Sequence, residues 1–183
     1  MDIEEALQKK GLVNIQSINN HIRLDLRYAT ANNITKKKLY SRPLCFFREE
    51  VAENLSFVQQ ELENKGLTLI IWDGYRPLRI QTSIWNAFPH PTYNTKISSH
   101  NKGIAVDLTL GDKDGNPLPM PTAFDVFGEQ SHHGFGKLPE TVIANRETLK
   151  DVMERHGFER FEFEWWHYTY TKLKDVEVLD IPI

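Results

Sequence analysis

The sequence has no long apolar run, no long basic run and almost no cysteine. Nowhere do the roughly 18 apolar residues of a membrane-spanning helix follow one another. Lys and Arg together number 22 and Asp and Glu 25, for a net charge of -3, and no basic block of the kind that neutralises phosphates is present. Neither a nucleic acid nor a membrane is therefore expected as a partner.

Disulfide chemistry and export are not expected either. The one cysteine, Cys45, cannot form an internal disulfide, and we expect it to pack as a small buried apolar residue. The N-terminus begins with acidic residues and shows neither the basic start nor the apolar stretch of a secretion signal. A cytoplasmic location is expected on both grounds, although a chain trimmed of its signal peptide would look the same.

Internal repeats, low-complexity tracts and flexible linkers are also absent from the 183 residues. A chain of this length that is 40% hydrophobic can bury a core without disulfides, so one domain over residues 1–183 is expected. The oligomeric state stays open, because an apolar surface patch is visible only in three dimensions.

Hydrophobic periodicity predicts both strands and helices. Apolar residues alternate from His21 to Tyr28, which indicates a half-buried strand, and they recur at helical spacing from Arg48 to Lys65, before Gly66. The other predicted elements are a strand over Leu67–Trp72, a helix over Leu78–Phe88, a strand over Gly103–Leu110, a loop over Gly111–Pro121, a helix from about Ala144 to His156 and a strand over the aromatic segment Phe161–Tyr170. This order favours the α+β class, with a mainly antiparallel sheet flanked by helices.

The segment from Ser98 to Asp107 contains two residue types that bind zinc. His100 lies in a loop, and Asp107 lies inside an apolar run, where an inward carboxylate would be costly unless paired or metal-bound. A catalytic zinc takes three protein ligands and keeps a fourth position for water, so one more ligand is required. Taken alone, His100 is more simply a surface-loop histidine, and Asp107 could equally face solvent.

Glu164 and His167, in the segment Glu-Trp-Trp-His, form a second pair. His167 would complete the ligand set, and Glu164 would then lie beside the attacking water as a general base. The alternative is an aromatic core strand whose Glu164 and His167 face solvent. Arg76 follows a buried strand on a rigid turn, where it could bind a carboxylate or an oxyanion, or bond loop carbonyls.

Taken jointly, these motifs resemble the D-alanyl-D-alanine dipeptidases of the VanX type and the wider zinc DD-peptidases of peptidase family M15. Ser98 to Asp107 matches Ser-x-His-x-x-Gly-x-Ala-x-Asp, and Glu164 with His167 matches Glu-x-x-His. Further likeness to the dipeptidases lies in Asp25–Thr35, Asp73–Pro77, Asp107–Leu110, Pro119–His132 and Glu164–Tyr168. The joint match is specific, whereas either motif alone would be weak.

The resemblance implies a fold like that of the Hedgehog signalling domain and the DD-peptidases. It implies one Zn2+ per chain, held by His100, Asp107 and His167. The implied reaction is hydrolysis of the dipeptide D-Ala-D-Ala to two D-alanines.

The resemblance also implies roles for residues around the metal. Glu164 would be the general base, and Arg76 the cation that stabilises the tetrahedral intermediate. Asp125 would help to hold the substrate's ammonium group, and Ser98 would contact the substrate. No further cation is assigned to the substrate's carboxylate.

Two other functions stay open on the sequence alone. A zinc DD- or LD-carboxypeptidase that trims peptidoglycan stem peptides uses the same chemistry, but it would meet its substrate outside the cytoplasm. A non-catalytic, zinc-stabilised binding module would need neither Glu164 nor Arg76. The sequence does not distinguish vancomycin resistance from D-alanine recycling as the role in cell-wall metabolism, and the ligands would also accept cobalt or nickel.

Overall fold

The computed structural model describes residues 3–183, so Met1 and Asp2 of the predicted domain lie outside the described residues. Within this range the helices are α1 Ile3–Gln8, α2 Ile15–Ile18, α3 Glu49–Glu63, α4 Leu78–Ala87 and α5 Glu140–Arg155. The strands are β1 Leu12–Asn14, β2 Arg23–Leu24, β3 Phe46–Arg48, β4 Leu67–Asp73, β5 Ala105–Asp112, β6 Phe158–Phe161 and β7 Glu164–Tyr170. None of the helices in residues 3–183 is long and apolar enough to cross a membrane.

The central feature is a five-stranded sheet in the order β2-β4-β5-β7-β6. Within the described chain, neighbouring strands of this sheet run antiparallel except for β2 and β4, which run parallel. Strands β1 and β3 form a separate antiparallel pair. The predicted α+β class with a mainly antiparallel sheet is confirmed, and the structure supplies the strand order that the sequence left open.

Helices α3 and α5 pack against the sheet and supply much of the core. Helix α3 contacts β4 and α5, and α5 in turn contacts β5 and β6. Apolar side chains of α3 recur at three- and four-residue spacing and are buried, as shown by Val51, Leu55, Val58 and Leu62. Gly66 has a φ of 69°, the left-handed conformation that lets the chain leave α3 and enter β4. The predicted helix and the buried strand after it are both confirmed.

Helix α5 begins earlier than the sequence predicts. It starts at Glu140 rather than near Ala144, because Pro139 precedes it with φ -55° and ψ 143° and leads directly into a helical turn. Val142 is buried and adds that first turn to the apolar face. The stretch from Leu149 onward carries the clear helical period, which is why the sequence places the start too late.

The prediction of one strand over the aromatic segment Phe161–Tyr170 is wrong, because this segment contains the turn of a hairpin. Strand β6 ends at Phe161, and β7 begins at Glu164, which is its cross-strand partner. Glu162 and Phe163 form the exposed turn between them. Aromatic composition favours strand on both sides of such a turn, and it therefore hides the turn.

The predicted strand over His21–Tyr28 is only partly present. Two residues, Arg23 and Leu24, pair with β4 at the edge of the sheet, and a 3-10 helix over Arg27–Ala29 follows. Burial still alternates, since Ile22, Leu26 and Tyr28 are buried, but the chain leaves the strand conformation after Leu24. The short elements α1, β1, α2 and β3 were not predicted, because a few residues cannot establish a period.

Gly74 lies just after β4, where the chain passes very close to the segment that contains β3. A Cβ atom at Gly74 would lie 2.7 Å from both Cys45 Sγ and Phe47 Cζ, so only glycine fits there. Cys45 is buried, as expected. The next residue, Tyr75, donates its backbone N–H to the Phe46 carbonyl at 2.9 Å. These contacts hold the turn after β4 in one place, and that turn carries Arg76.

Candidate metal centre and active site

Three neighbouring strands carry a row of polar side chains across the sheet. Asp73 at the end of β4 pairs with Asp107 in β5, and Asp107 pairs with His167 in β7. Side chains of directly paired residues lie on the same face of a sheet, so the row brings two carboxylates and an imidazole together. Asp107 is only 3% exposed, which excludes a solvent-facing position.

His100 reaches this row from the loop before β5. Residues Ser99–Lys102 form a 3-10 helix capped by Ser98, whose Oγ accepts the backbone N–H of His100 at 3.3 Å. Nδ1 of His100 lies 2.8 Å from the carbonyl oxygen of Gly74. Because a carbonyl only accepts, Nδ1 carries the proton, and Nε2 is left to face the row. His100 is therefore buried and fixed in orientation rather than a surface histidine.

His100, Asp107 and His167 form a compact cluster of metal-ligand atoms. Nε2 of His100 lies 3.3 Å from Asp107 Oδ2 and 3.2 Å from Nδ1 of His167, which is itself 2.9 Å from Asp107 Oδ1. One ligand atom from each residue lies within 4.8 Å of the others. Two imidazole nitrogens and a carboxylate oxygen are a donor set that suits a catalytic zinc ion. The three residues thus fit one metal ion.

Burial and charge act in opposite directions on these groups. Burial raises the pKa of Asp107, but its interactions with the adjacent His100 and His167 outweigh burial and hold that pKa below its ordinary value. Burial lowers the pKa of His167 by more than Asp107 raises it. Asp107 is thus ionised and His167 neutral near neutral pH, and these are the protonation states that metal binding requires.

Arg76 is held beside the cluster by buried acceptors. Its Nε donates to Asp73 Oδ2 at 2.8 Å, its Nη1 donates to Gln81 Oε1 at 2.7 Å, and its Nη2 lies 3.5 Å from Asp107 Oδ2. The guanidinium carbon lies 4.8 Å from the centre of the Tyr28 ring, a cation–π geometry. Arg76 therefore bonds side chains of the site rather than loop carbonyls, and its charge adjoins the cluster.

Glu164 begins β7 and is buried, with 7% of its surface exposed. This excludes the alternative in which it faces solvent. Burial raises the pKa of Glu164 well above its ordinary value, the charges of Asp107 and Asp125 raise it further, and Arg76 offsets only part of the rise. A carboxyl group with a raised pKa takes up a proton readily, as a general base must.

Asp125 lies in a loop and has a φ of 60°. Its Oδ2 accepts the backbone N–H of Ile34 at 3.2 Å and the hydroxyl of Tyr28 at 3.4 Å. Burial, followed by the charge of Asp107, raises the pKa of Asp125 to about 7. This carboxyl group is thus poised to change charge near neutral pH.

All the site residues inferred from the sequence line one cavity of about 410 Å³. They are Arg76, Ser98, His100, Asp107, Asp125, Glu164 and His167. They come from the turn after β4, the loop into β5, strand β5 itself, the loop around Asp125 and strand β7. The cavity volume is within the usual range for pockets that bind small molecules.

One wall of the cavity is aromatic and joins two loops. The Phe127 ring stacks on Phe88 at 5.3 Å and on Tyr93 at 4.8 Å, measured between ring centroids. The Tyr93 hydroxyl lies 3.1 Å from Nε2 of His132. The loop after α4, which contains Tyr93, is thereby tied to the loop that contains Phe127 and His132.

The sequence pattern of the M15 peptidases, described as D-ala-D-ala dipeptidase, matches residues 8–177. The chain belongs to this family. It is 36% identical over 160 residues to the D-alanyl-D-alanine dipeptidase of Escherichia coli (strain K12), over 86% of this chain and 83% of that protein. It is 34% identical over 182 residues to the D-alanyl-D-alanine dipeptidase of Enterococcus faecium, over 86% of this chain and 90% of that protein.

For this member of the M15 peptidases, the family inferred from the motifs is confirmed, and the enzyme class is that of a hydrolytic peptidase. Several residues of the site were missed by the sequence reasoning. Tyr28 and Asp73 lie inside segments that resemble the family, so the resemblance could have indicated that they belong to the site. Gln81, Tyr93 and Thr169 lie outside the metal-site motifs, and only the fold brings them to the cavity.

Proposed function

We propose that this M15 peptidase is a zinc-dependent dipeptidase that hydrolyses D-Ala-D-Ala to two D-alanines. The observation that carries the proposal is a single cavity in which the cluster of His100, Asp107 and His167 lies beside the buried Glu164 and Arg76. A purely structural metal site would need neither of the last two residues. The names of the relatives in Escherichia coli and Enterococcus faecium support this substrate.

His100, Asp107 and His167 would hold one Zn2+ per chain. Their donor atoms already converge, and the outward nitrogen of each imidazole has a neighbour, the Gly74 carbonyl for His100 and the Thr169 hydroxyl for His167. When bound, the ion acidifies a water molecule and polarises the scissile carbonyl. Cobalt and nickel would also accept these ligands, so the proposal requires the metal content to be measured.

Glu164 is the general base of the proposed reaction. Its carboxylate takes a proton from the attacking water and later delivers a proton to the amine nitrogen of the departing D-alanine. The burial that raises its pKa favours proton uptake, and the charge of Arg76 offsets part of that rise. Hydrolysis then leaves the water oxygen on the carbonyl carbon and two separate amino acids.

Arg76 stabilises the negative charge that develops on the carbonyl oxygen of the substrate. Asp73 and Gln81 hold the guanidinium in place, so its orientation costs no rearrangement during the reaction. Loss of a preorganised oxyanion donor lowers turnover about a hundredfold or more. We expect such a loss for Arg76→Ala.

Asp125 and Ser98 bind the substrate in this proposal. Both line the cavity, and Asp125 offers a carboxylate to the ammonium group of the dipeptide. An ammonium group beside Asp125 would lower its raised pKa, so substrate binding and ionisation of Asp125 reinforce each other. Ser98 contacts the substrate through its hydroxyl group.

The decisive experiment measures D-alanine released from D-Ala-D-Ala by the zinc-loaded protein. L-Ala-L-Ala, a longer peptide ending in D-Ala-D-Ala, and the Glu164→Ala variant are the controls. Cleavage of the D,D-dipeptide alone, lost in Glu164→Ala, supports the proposal. Cleavage of the longer peptide would assign the protein to the carboxypeptidases, and bound zinc without cleavage would indicate a binding module. The cytoplasmic location stays a prediction.

A further inference from the structure

The two histidines of the cluster present opposite ring nitrogens to it. His100 turns Nε2 toward Asp107 and His167, and its Nδ1 lies 2.8 Å from the Gly74 carbonyl. His167 turns Nδ1 toward the cluster, and its Nε2 lies 3.3 Å from Oγ1 of Thr169. Each ring is therefore held at its outward nitrogen by a different kind of group.

Thr169 reaches His167 because the two residues lie two positions apart in β7. The partners of His167 and Thr169 in β5 are Asp107 and Ala105. The strand pairing that aligns the ligand row therefore also fixes the position of the Thr169 hydroxyl. Oγ1 of Thr169 lies 3.2 Å from Oγ of Ser99, in the 3-10 helix that carries His100. The hydroxyl pair thus connects β7 to the segment that supplies the other histidine.

The chemistry of the two outward partners differs. The Gly74 carbonyl can only accept, so it places the proton on Nδ1 of His100 without further help. The Thr169 hydroxyl can both accept and donate, and it accepts steadily from Nε2 of His167 only if its own proton has another acceptor. Ser99 Oγ lies 3.2 Å away and can accept that proton. With a metal ion on Nδ1 of His167, the ring proton would lie on Nε2, and donation would run from His167 Nε2–H to Thr169 and on to Ser99.

We propose that Thr169, together with Ser99, is a positioning residue that keeps the Nδ1 lone pair of His167 directed into the metal-ligand cluster. The inference rests on the metal site of the proposed function, but not on which peptide is cleaved. Thr169 does not touch the reacting atoms in this role. Its hydroxyl acts through the ring of His167, as outer partners of metal-bound histidines do.

Zinc affinity in competition with a chromophoric chelator tests the proposal. Thr169→Val keeps the shape of the side chain and removes the hydroxyl, and we expect zinc to bind about tenfold more weakly. Thr169→Ser keeps the hydroxyl and should retain the affinity. Thr171→Val, the same change two residues along the chain, should also retain it, because the Thr171 hydroxyl bonds the Gly157 carbonyl instead.

Ser99→Ala tests the second step of the chain. It leaves the Thr169 hydroxyl without its acceptor, so we expect a weaker zinc affinity than wild type but a stronger one than Thr169→Val. Long-range nitrogen–proton NMR spectra of the zinc-loaded protein give a readout that does not depend on activity. They should show Nε2 of His167 protonated in the wild type, with that signal altered in Thr169→Val and restored in Thr169→Ser.

Thermal unfolding of each variant shows whether a weaker zinc affinity comes from a folding defect or from a local change at His167. If wild type and Thr169→Val bind zinc equally, or if Thr169→Ser is as weak as Thr169→Val, the positioning role is wrong while the metal site stands. If the wild type binds no zinc, or if His167→Ala binds zinc as well as the wild type does, the metal site of the proposed function is wrong. This inference is then wrong as well.

Discussion

Asp107 and His167 face each other directly across β5 and β7, with Asp107 Oδ1 2.9 Å from Nδ1 of His167. The other carboxylate oxygen lies 3.3 Å from Nε2 of His100, so a single carboxylate adjoins both imidazoles. Cross-strand pairing sets the distance between Asp107 and His167, whereas His100 comes from the 3-10 helix before β5. The sheet therefore positions two of the three proposed ligands, and the capped 3-10 helix positions the third.

Replacing Asp107 with Asn should abolish stable zinc binding. The amide keeps the shape of the side chain but removes the negative charge, and a neutral amide oxygen is a poor zinc ligand. We expect the metal content after dialysis to fall from one zinc per chain to almost none, as measured by atomic emission. Asp114→Asn, in the exposed turn after β5, is the matched control and should keep its zinc. Full zinc content in Asp107→Asn would contradict the assigned ligand set.

Replacing Asp73 with Ala should destabilise the fold. Asp73 accepts hydrogen bonds from Arg76 at 2.8 Å and from the Tyr40 hydroxyl at 2.6 Å, and all three groups are buried. Loss of the carboxylate leaves a buried charge without its main partner, which costs about 3–5 kcal/mol of the free energy of unfolding. Tyr40→Phe removes only one hydrogen bond to that carboxylate, and we expect a loss of about 1.5–3 kcal/mol.

Urea unfolding of the metal-free variants measures both losses. The expected order of stability is wild type, Tyr40→Phe, then Asp73→Ala. An Asp73→Ala variant as stable as wild type would mean that this network does not hold Arg76. An unchanged Tyr40→Phe variant would show only that the tyrosine bond is weak.

The pH dependence of kcat/KM should contain a limb set by Asp125. Burial raises the pKa of this carboxyl group to about 7, so the uncharged form prevails below that pH. An uncharged carboxyl group does not pair with the ammonium group of the substrate. We therefore expect kcat/KM to fall by up to about tenfold per pH unit below about 7, because kcat/KM reports ionisations of the free enzyme.

Asp125→Asn separates this limb from the titration of other groups. The variant cannot ionise at this position, so its kcat/KM should be low, and the limb near neutral pH should be missing. Limbs due to Glu164 should remain in its profile. A variant profile with the same limb would assign the ionisation to another residue.

Tyr93→Phe should relax the size limit of the cavity. The substitution keeps the stacking on Phe127 but removes the contact between the tyrosine hydroxyl and Nε2 of His132. A hydrogen bond of this kind contributes about 1 kcal/mol to holding the two loops together, which corresponds to roughly a fivefold change in an equilibrium constant. We expect cleavage of a longer D-Ala-D-Ala peptide to rise by that factor relative to the dipeptide.

His132→Ala offers a double-mutant cycle for this wall. It removes the contact with the Tyr93 hydroxyl and also the edge contact of the His132 ring with Phe163 at 5.0 Å, so its effect should be at least that of Tyr93→Phe. The double variant should show no more than the larger single effect, since both single variants remove the contact between Tyr93 and His132. Fully additive effects would mean that the two side chains act separately on the substrate.

The α+β class and the longer elements could be predicted from the sequence alone. Helix α3 follows from the helical spacing of its apolar residues, and strand β4 follows from a short apolar run of strand-forming residues that Asp73 and Gly74 end. The two motifs also identified the M15 family. The role proposed for Glu164 came from the second motif, and the role proposed for Arg76 came from the resemblance of the segment Asp73–Pro77.

Which distant residues come into contact could not be predicted from the sequence and follows from the fold. Ser99 and Thr169 are separated by 70 positions in the chain, yet their hydroxyl oxygens lie 3.2 Å apart because β7 pairs with β5 in one register. In the same way, Asp73 joins the ligand row through the pairing of β4 with β5. Contacts of this kind depend on strand order, register and loop packing, and local sequence patterns do not encode them.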